Sequence, residues 1–206
     1  MEGGVHLSQH SLSTMVGTKA EEKGKVSEFF RYLTVGNHDH YTPDGEWFQV
    51  DYSDIEPRWN LPCLAHSFNV SSQVRYLFQI IFIKLSLSNS HSPPLVSLQK
   101  TSVMFVSVDT VSIDQKKNEA EAMKELLDSE LATARDKEWK IVFGHYPCHS
   151  GGGYSGIKSM REQILPMMKA HNVDFYLAGH DHNLQHWRTR GNPAGIDHII
   201  TGEASF

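Results

Sequence analysis

At 206 residues, 39% apolar and 21% charged, the chain is long enough for one domain with a sizeable core and has ordinary globular composition. A net charge of −5 gives no electrostatic reason to expect nucleic acid or an anionic membrane as partner. The two cysteines, Cys63 and Cys148, cannot form a disulfide framework and lack zinc-ligand spacing, although a single bridge between them stays open.

Residues 1–25 are polar and rich in Ser, Gly and Lys, and read as a poorly ordered lead-in without the apolar core of a secretory signal. Phe29 to Val35 reads as a helix end leading into a strand that stops at Gly36. Pro43-Asp44-Gly45 marks a turn, and Trp47 to Trp59 has room for a short helix. Tyr76 to Leu87 is apolar but too short to span a bilayer. Residues 74–101 read either as a strand followed by a long loop or as an insertion foreign to the fold. Val103 to Val108 is a continuous apolar run, as expected of a buried strand ending at Asp109. Ser112 with Gln115 resembles a capping box. Met123, Leu126, Leu127, Leu131 and Ala134 fall at helical spacing with charges opposite. Lys140 to Phe143, Val173 to Ala178 and His198 to Thr201 read as strands. Ile157, Met160, Ile164 and Met168 outline a further helix that Pro166 should kink or divide. Strand, polar loop, helix and strand recur, which argues an α/β layering with its chemistry at strand carboxyl ends.

Three histidine-bearing motifs follow such strands: Gly36-Asn37-His38-Asp39, Gly144-His145-Tyr146-Pro147 and Gly179-His180-Asp181-His182. In a loop, residues i and i+2 such as His180 and His182 can face two adjacent metals; taken alone they read equally well as exposed loop histidines. His145 lies on a turn constrained by Pro147, and alone it reads better as a structural histidine. Asn37 offers a neutral oxygen ligand, which suits a cation that must also bind phosphate. His38 beside it can act on substrate as acid or hydrogen-bond donor, and Asp39 can orient an imidazole through its second nitrogen. The bland alternative is a polar turn that ends a strand.

Gly-Asn-His-Asp, then Gly-His, then Gly-His-x-His, in this order, resembles the calcineurin-like metallophosphoesterase superfamily. Within it the chain looks like the small, tartrate-resistant type of purple acid phosphatase over residues 30–75 and 101–206. Tyr52-Ser53-Asp54 to Arg58-Trp59-Asn60, the strand into Asp109-Thr110, the helix at 118–135 and Asp174-Phe175-Tyr176-Leu177 share the likeness. The resemblance implies an α/β fold, a metallophosphoesterase-type β-sandwich flanked by helices. It implies hydrolysis of phosphate monoesters by a monomer at a dinuclear centre, iron beside iron, zinc or manganese. Asn37, His145 and His180 match the ligands of the divalent site, and His182 matches the single histidine of the ferric site. His38 matches a substrate-facing histidine. A second one belongs in the loop after Gly-His, where His149 and Tyr154 are nearest, and His149 is taken as the catalytic partner of His38.

The family's Gly-Asp-x-Gly and Gly-Asp-x-x-Tyr motifs do not precede Gly36. The expectation is therefore a partial domain over 29–206, after a lead-in over 1–28 and with 74–101 inserted. Its first βαβ units should be missing, leaving an apolar sheet edge. The ferric site should be lost or very weak, because neutral ligands leave a trivalent charge uncompensated. The competing expectation is a catalytically impaired fragment that binds at most one divalent ion.

Overall fold

The computed structural model describes residues 13–19, 29–71, 102–137, 139–189 and 195–202. The region 74–101, read as a possible insertion, lies outside them.

Two sheets carry the fold. One has three strands in the order β1 (Ser13–Lys19), β2 (Phe29–Thr34), β3 (Trp59–Asn60), with β1 antiparallel and β3 parallel to β2. The other has six: β4 (Ala65–Ser71), β5 (Ser102–Val108), β6 (Trp139–Phe143), β7 (Phe175–Ala178), β9 (Asp197–Thr201) and β8 (Leu184–Arg188), in that spatial order. Strands β5, β6, β7 and β9 run parallel, and the outer strands β4 and β8 run antiparallel to their neighbours. The parallel strands therefore deliver their carboxyl ends to one edge, at Asp109, Gly144, Gly179 and Gly202.

Burial explains the apolar runs. Val103 to Val108 is buried at every position, as a strand covered on both faces must be. Met104, Val106 and Val108 pack with α3 (Ala120–Thr133) through Met123, Leu127 and Leu131. Val103 and Phe105 face the other way, into an aromatic core with Phe143, Phe175, Phe68 and Tyr32. Tyr32 stacks on Phe68 with ring centroids 3.7 Å apart, joining β2 to the larger sheet. Leu127 is wholly buried, and its truncation to Ala should cost about 2–5 kcal/mol.

Several expectations need correction. Phe29 to Thr34 is strand throughout, with no helix end. Strand β1 falls inside the polar lead-in: Thr, Met and Val tolerate extended backbone, and pairing with β2 supplies what composition does not advertise. Strand β2 is accordingly paired on both sides. Helix α2 (Thr110–Gln115) begins too early for a Ser112 cap. Asp109 is its N-cap instead, accepting from the Val111 and Ser112 amides at 2.9 and 3.1 Å. Both cysteines are free thiols. The kink expected near Pro166 is a π-helical turn (Met160–Ile164) leading into α4 (Leu165–Ala170). Pro166 has no N–H for the Glu162 carbonyl, and a π turn absorbs that lost bond. The short helix near Trp47 is α1 (Gly45–Asp51). Among the described residues no helix is long and apolar enough to cross a membrane.

Candidate metal site

Three loops meet at the shared carboxyl edge. The loop after β6 needs Gly144, where a Cβ would lie 2.5 Å from Thr110 Cγ2 and 3.0 Å from the Val108 carbonyl. Thr110 Oγ1 then accepts from the Tyr146 amide at 2.8 Å, and the buried Tyr176 hydroxyl donates to the Tyr146 carbonyl at 2.6 Å. The loop after β7 is tied to it by the Gly179 amide, which donates to the His145 carbonyl at 3.0 Å. His180 itself has φ +66°, left-handed backbone that a non-glycine residue holds only when its surroundings enforce it. The third loop, after β2, turns through Asn37, with the Asp39 amide donating to the Gly36 carbonyl at 3.1 Å.

These loops bring Asn37, His145 and His180 to one point. His145 Nε2 lies 2.6 Å from Asn37 Oδ1 and 3.2 Å from His180 Nδ1. A proton on Nε2 can serve only one of those two neighbours. With its lone pair inward instead, Nε2 faces a second nitrogen and an oxygen, and a cation between them resolves the repulsion. Ligands about 2.1 Å from one ion sit roughly 3.0–3.4 Å apart; the 3.2 Å between the imidazole nitrogens falls in that range, and the 2.6 Å to Asn37 is shorter. Two neutral imidazoles and one amide oxygen fit a divalent ion.

The electrostatics keep the donors unprotonated. Burial, followed by the charges of His180, His38, His40 and His182, pushes His145 down to about 3. Burial also lowers His180; Asp181 opposes the shift, while His182 and His38 add to it. Metal ligation needs the neutral imidazole, so protons compete weakly at the most buried donor.

The other residues singled out by sequence lie around this trio. His38 is exposed, its ring 4.7 Å from that of Tyr41. His182 is exposed and near enough to act electrostatically on His145 and His180. His149 turns its ring toward buried His198, with centroids 5.6 Å apart. The side chain of that loop lying over His180 is Tyr154, at 4.3 Å between rings.

The carboxylates nearest in sequence have other employment. Asp39 Oδ2 accepts from the Gly36 amide at 2.8 Å and closes its own turn. Asp181 is buried and accepts from the Ser150 hydroxyl, clasping the glycine-rich loop below Tyr154. Asp109 caps α2 and meets His40 Nε2 at 3.1–3.2 Å. Lys117 Nζ sits 2.7 Å from His40 Nδ1 and 2.5 Å from Glu46 Oε1. His40 Nδ1 also lies 3.2 Å from Glu46 Oε1, so the ring bridges Asp109 to the Lys117–Glu46 pair. This chain bolts the Asn37 loop to the end of β5. Burial alone would raise the Glu46 carboxyl, but its bond to Lys117 and the nearby charges outweigh that and lower it.

Among the described residues no group of three or more His, Cys, Asp or Glu side chains is placed to hold a metal. The trio stands apart from such groups because one member is an amide.

Sequence reading missed three supports of the site: Tyr41 against Asn37, His40 against Asp109, and Ser150 against Asp181. Only the first leaves a trace in the sequence, as the i, i+4 spacing across a tight turn.

Comparison with known proteins gives the family and the fold. The family model for calcineurin-like phosphoesterases matches residues 6–184, beginning within the stretch read as lead-in. Tartrate-resistant acid phosphatase type 5 of Sus scrofa is 30% identical over 177 residues, covering 85% of this chain and 47% of that protein. Purple acid phosphatase 17 of Arabidopsis thaliana is 29% identical over 174 residues, covering 84% and 47%. The chain thus spans about half the length of the curated relatives it matches. Among solved structures, GAP50, the anchor in the inner membrane complex of Plasmodium, superposes with a TM-score of 0.64. It does so at 21% identity over 91% of this chain and 53% of that one, a likeness of fold.

Proposed function

The chain belongs to the calcineurin-like phosphoesterase family, and from that premise we propose that it hydrolyses phosphate monoesters with a divalent cation held by Asn37, His145 and His180. The observation that carries this is the meeting of three neutral donor atoms, 2.6 and 3.2 Å apart, at the carboxyl edge of a parallel sheet. The names of the curated relatives, acid phosphatases, give the reaction class.

A bound divalent cation would supply Lewis acidity toward a phosphoryl oxygen and toward water. The chain supplies the rest. Three neutral ligands add no negative charge against an incoming phosphate dianion. Exposed His38 stands at the mouth as a donor to a phosphate oxygen or to the leaving alcohol. Tyr154, over His180, walls one side and is a better candidate than His149 for the second substrate-facing group.

The family resemblance also implies a second metal beside His182. The described residues gather no group of three or more His, Cys, Asp or Glu side chains around His182, which favours a second reading: a single-cation module without turnover.

Phosphate release from 4-nitrophenyl phosphate, with Mn²⁺ or Zn²⁺ added, separates the two. Cation-dependent release that disappears in His180→Ala is expected. Cation binding with no release in the wild-type chain would replace the enzyme with the binding module.

A further inference from the structure

We propose that Tyr41 is a positioning residue for the cation site, holding the Asn37 carboxamide with its oxygen inward. The proposal rests on the reading of Asn37, His145 and His180 as cation ligands.

A carboxamide has two ends of nearly equal size and opposite chemistry. Turned one way, Asn37 offers an oxygen to the cation. Turned the other, it aims an N–H group at His145 Nε2, which is useless to a metal. In the structure the carboxamide is held at both ends. Asn37 Nδ2 donates to the Tyr41 hydroxyl at 2.9 Å, while Oδ1 lies 2.6 Å from His145 Nε2. The phenol oxygen accepts at Nδ2 while His145 faces Oδ1, and the two contacts together hold the carboxamide with its oxygen inward.

Tyr41 is suited to this by its own fixation. It closes the 3-10 turn Asp39–Tyr41, its amide donating to the His38 carbonyl at 3.2 Å. Its ring lies 4.7 Å from that of His38. His40, in the same turn, is anchored to Asp109. One rigid turn therefore carries the ligand, the substrate-facing histidine and the group that orients the ligand. Tyr41 is 69% exposed, so no burial requirement explains its place there. Outer groups that orient first ligands act on metal affinity in this way.

The test is Mn²⁺ titration of the full chain as wild type, Tyr41→Phe and His145→Ala, with Co²⁺ absorption as a second readout. Phenylalanine keeps the ring against His38 and deletes only the acceptor. Mn²⁺ affinity in Tyr41→Phe should fall about three- to ten-fold, the size of one exposed hydrogen bond. Stoichiometry and the metal-free melting temperature should not change, and the Co²⁺ band should shift. Equal affinity in Tyr41→Phe and wild type, with His145→Ala inert, overturns the role of Tyr41 and leaves the cation site standing. A lowered metal-free melting temperature in Tyr41→Phe overturns it too, as a structural role. Binding that His145→Ala does not change, or no binding in wild type, overturns both.

Discussion

Two groups of histidines share lowered basicity and burial, partial at His180, and differ in where their rings point. His145 and His180 converge with Asn37 at strand ends. His66 and His198 lie within strands, where His66 Nε2 and both His198 nitrogens have no hydrogen-bond partner among the described residues. Burial lowers His66 and His198 to about 4, much as it lowers His145 to about 3. A depressed pKa therefore does not mark a site here. The proposed site is set apart by the approach of Asn37, His145 and His180 to one another.

The sharpest way to break this contrast is by deletion. His145→Ala should remove cation-dependent function outright, with divalent affinity falling by about 100-fold or more, while His149→Ala leaves affinity unchanged; calorimetric titration reads both. If the two variants behave alike, convergence is not what matters.

Acid reads every buried histidine, His145 included, and His66 and His198 can be followed without touching the proposed cation ligands. His66 and His198 are each lowered from 6.5, so the folded state binds fewer protons than the unfolded chain between about 4 and 6.5. Stability should therefore rise with pH across that window, be full above it and decline on acidification. The loss approaches on the order of 3 kcal/mol per histidine. His149, Asp197, Lys169 and His186 set the field at His198. Denaturant midpoints of the metal-free protein at pH 7 and pH 5 should differ, and less so in His198→Phe. A midpoint independent of pH would contradict the burial of these neutral rings.

Asp109→Ala removes a helix cap and the partner of His40 together, at an expected cost of about 2–4 kcal/mol in urea unfolding. A loss under 1 kcal/mol would mean that the Asn37 loop is not held from β5. The smallest effect belongs to His182→Ala. Exposed and outside the trio, it should change first-cation affinity less than about threefold.

Much of this was legible in the chain. Val103 to Val108, Lys140 to Phe143 and the 3.6-residue period of Met123, Leu127 and Leu131 announce buried strands and a helix because burial imposes those patterns. Strand β4 did not announce itself: His66, Ser67 and Asn69 interrupt its apolar residues, and its place comes from a seven-residue register with β5. The trio was legible as motifs, since glycine must stand where a strand end turns sharply. Its supports were not. Pairing His40 with Asp109 spans 69 residues, and no local rule links them. The choice between His149 and Tyr154 was equally invisible, because both lie in one glycine-rich loop and only its folded path decides which ring reaches His180.

Asn37, His145 and His180 are proposed to hold one cation. Metal content of the folded chain, equilibrated with Zn²⁺ and freed of excess, tests it most directly. One equivalent per chain, falling to none in His145→Ala, is the predicted result. Two equivalents would mean carboxylate ligands reach His182 after all, and none in the wild-type chain would mean that the three donors face each other without a cation.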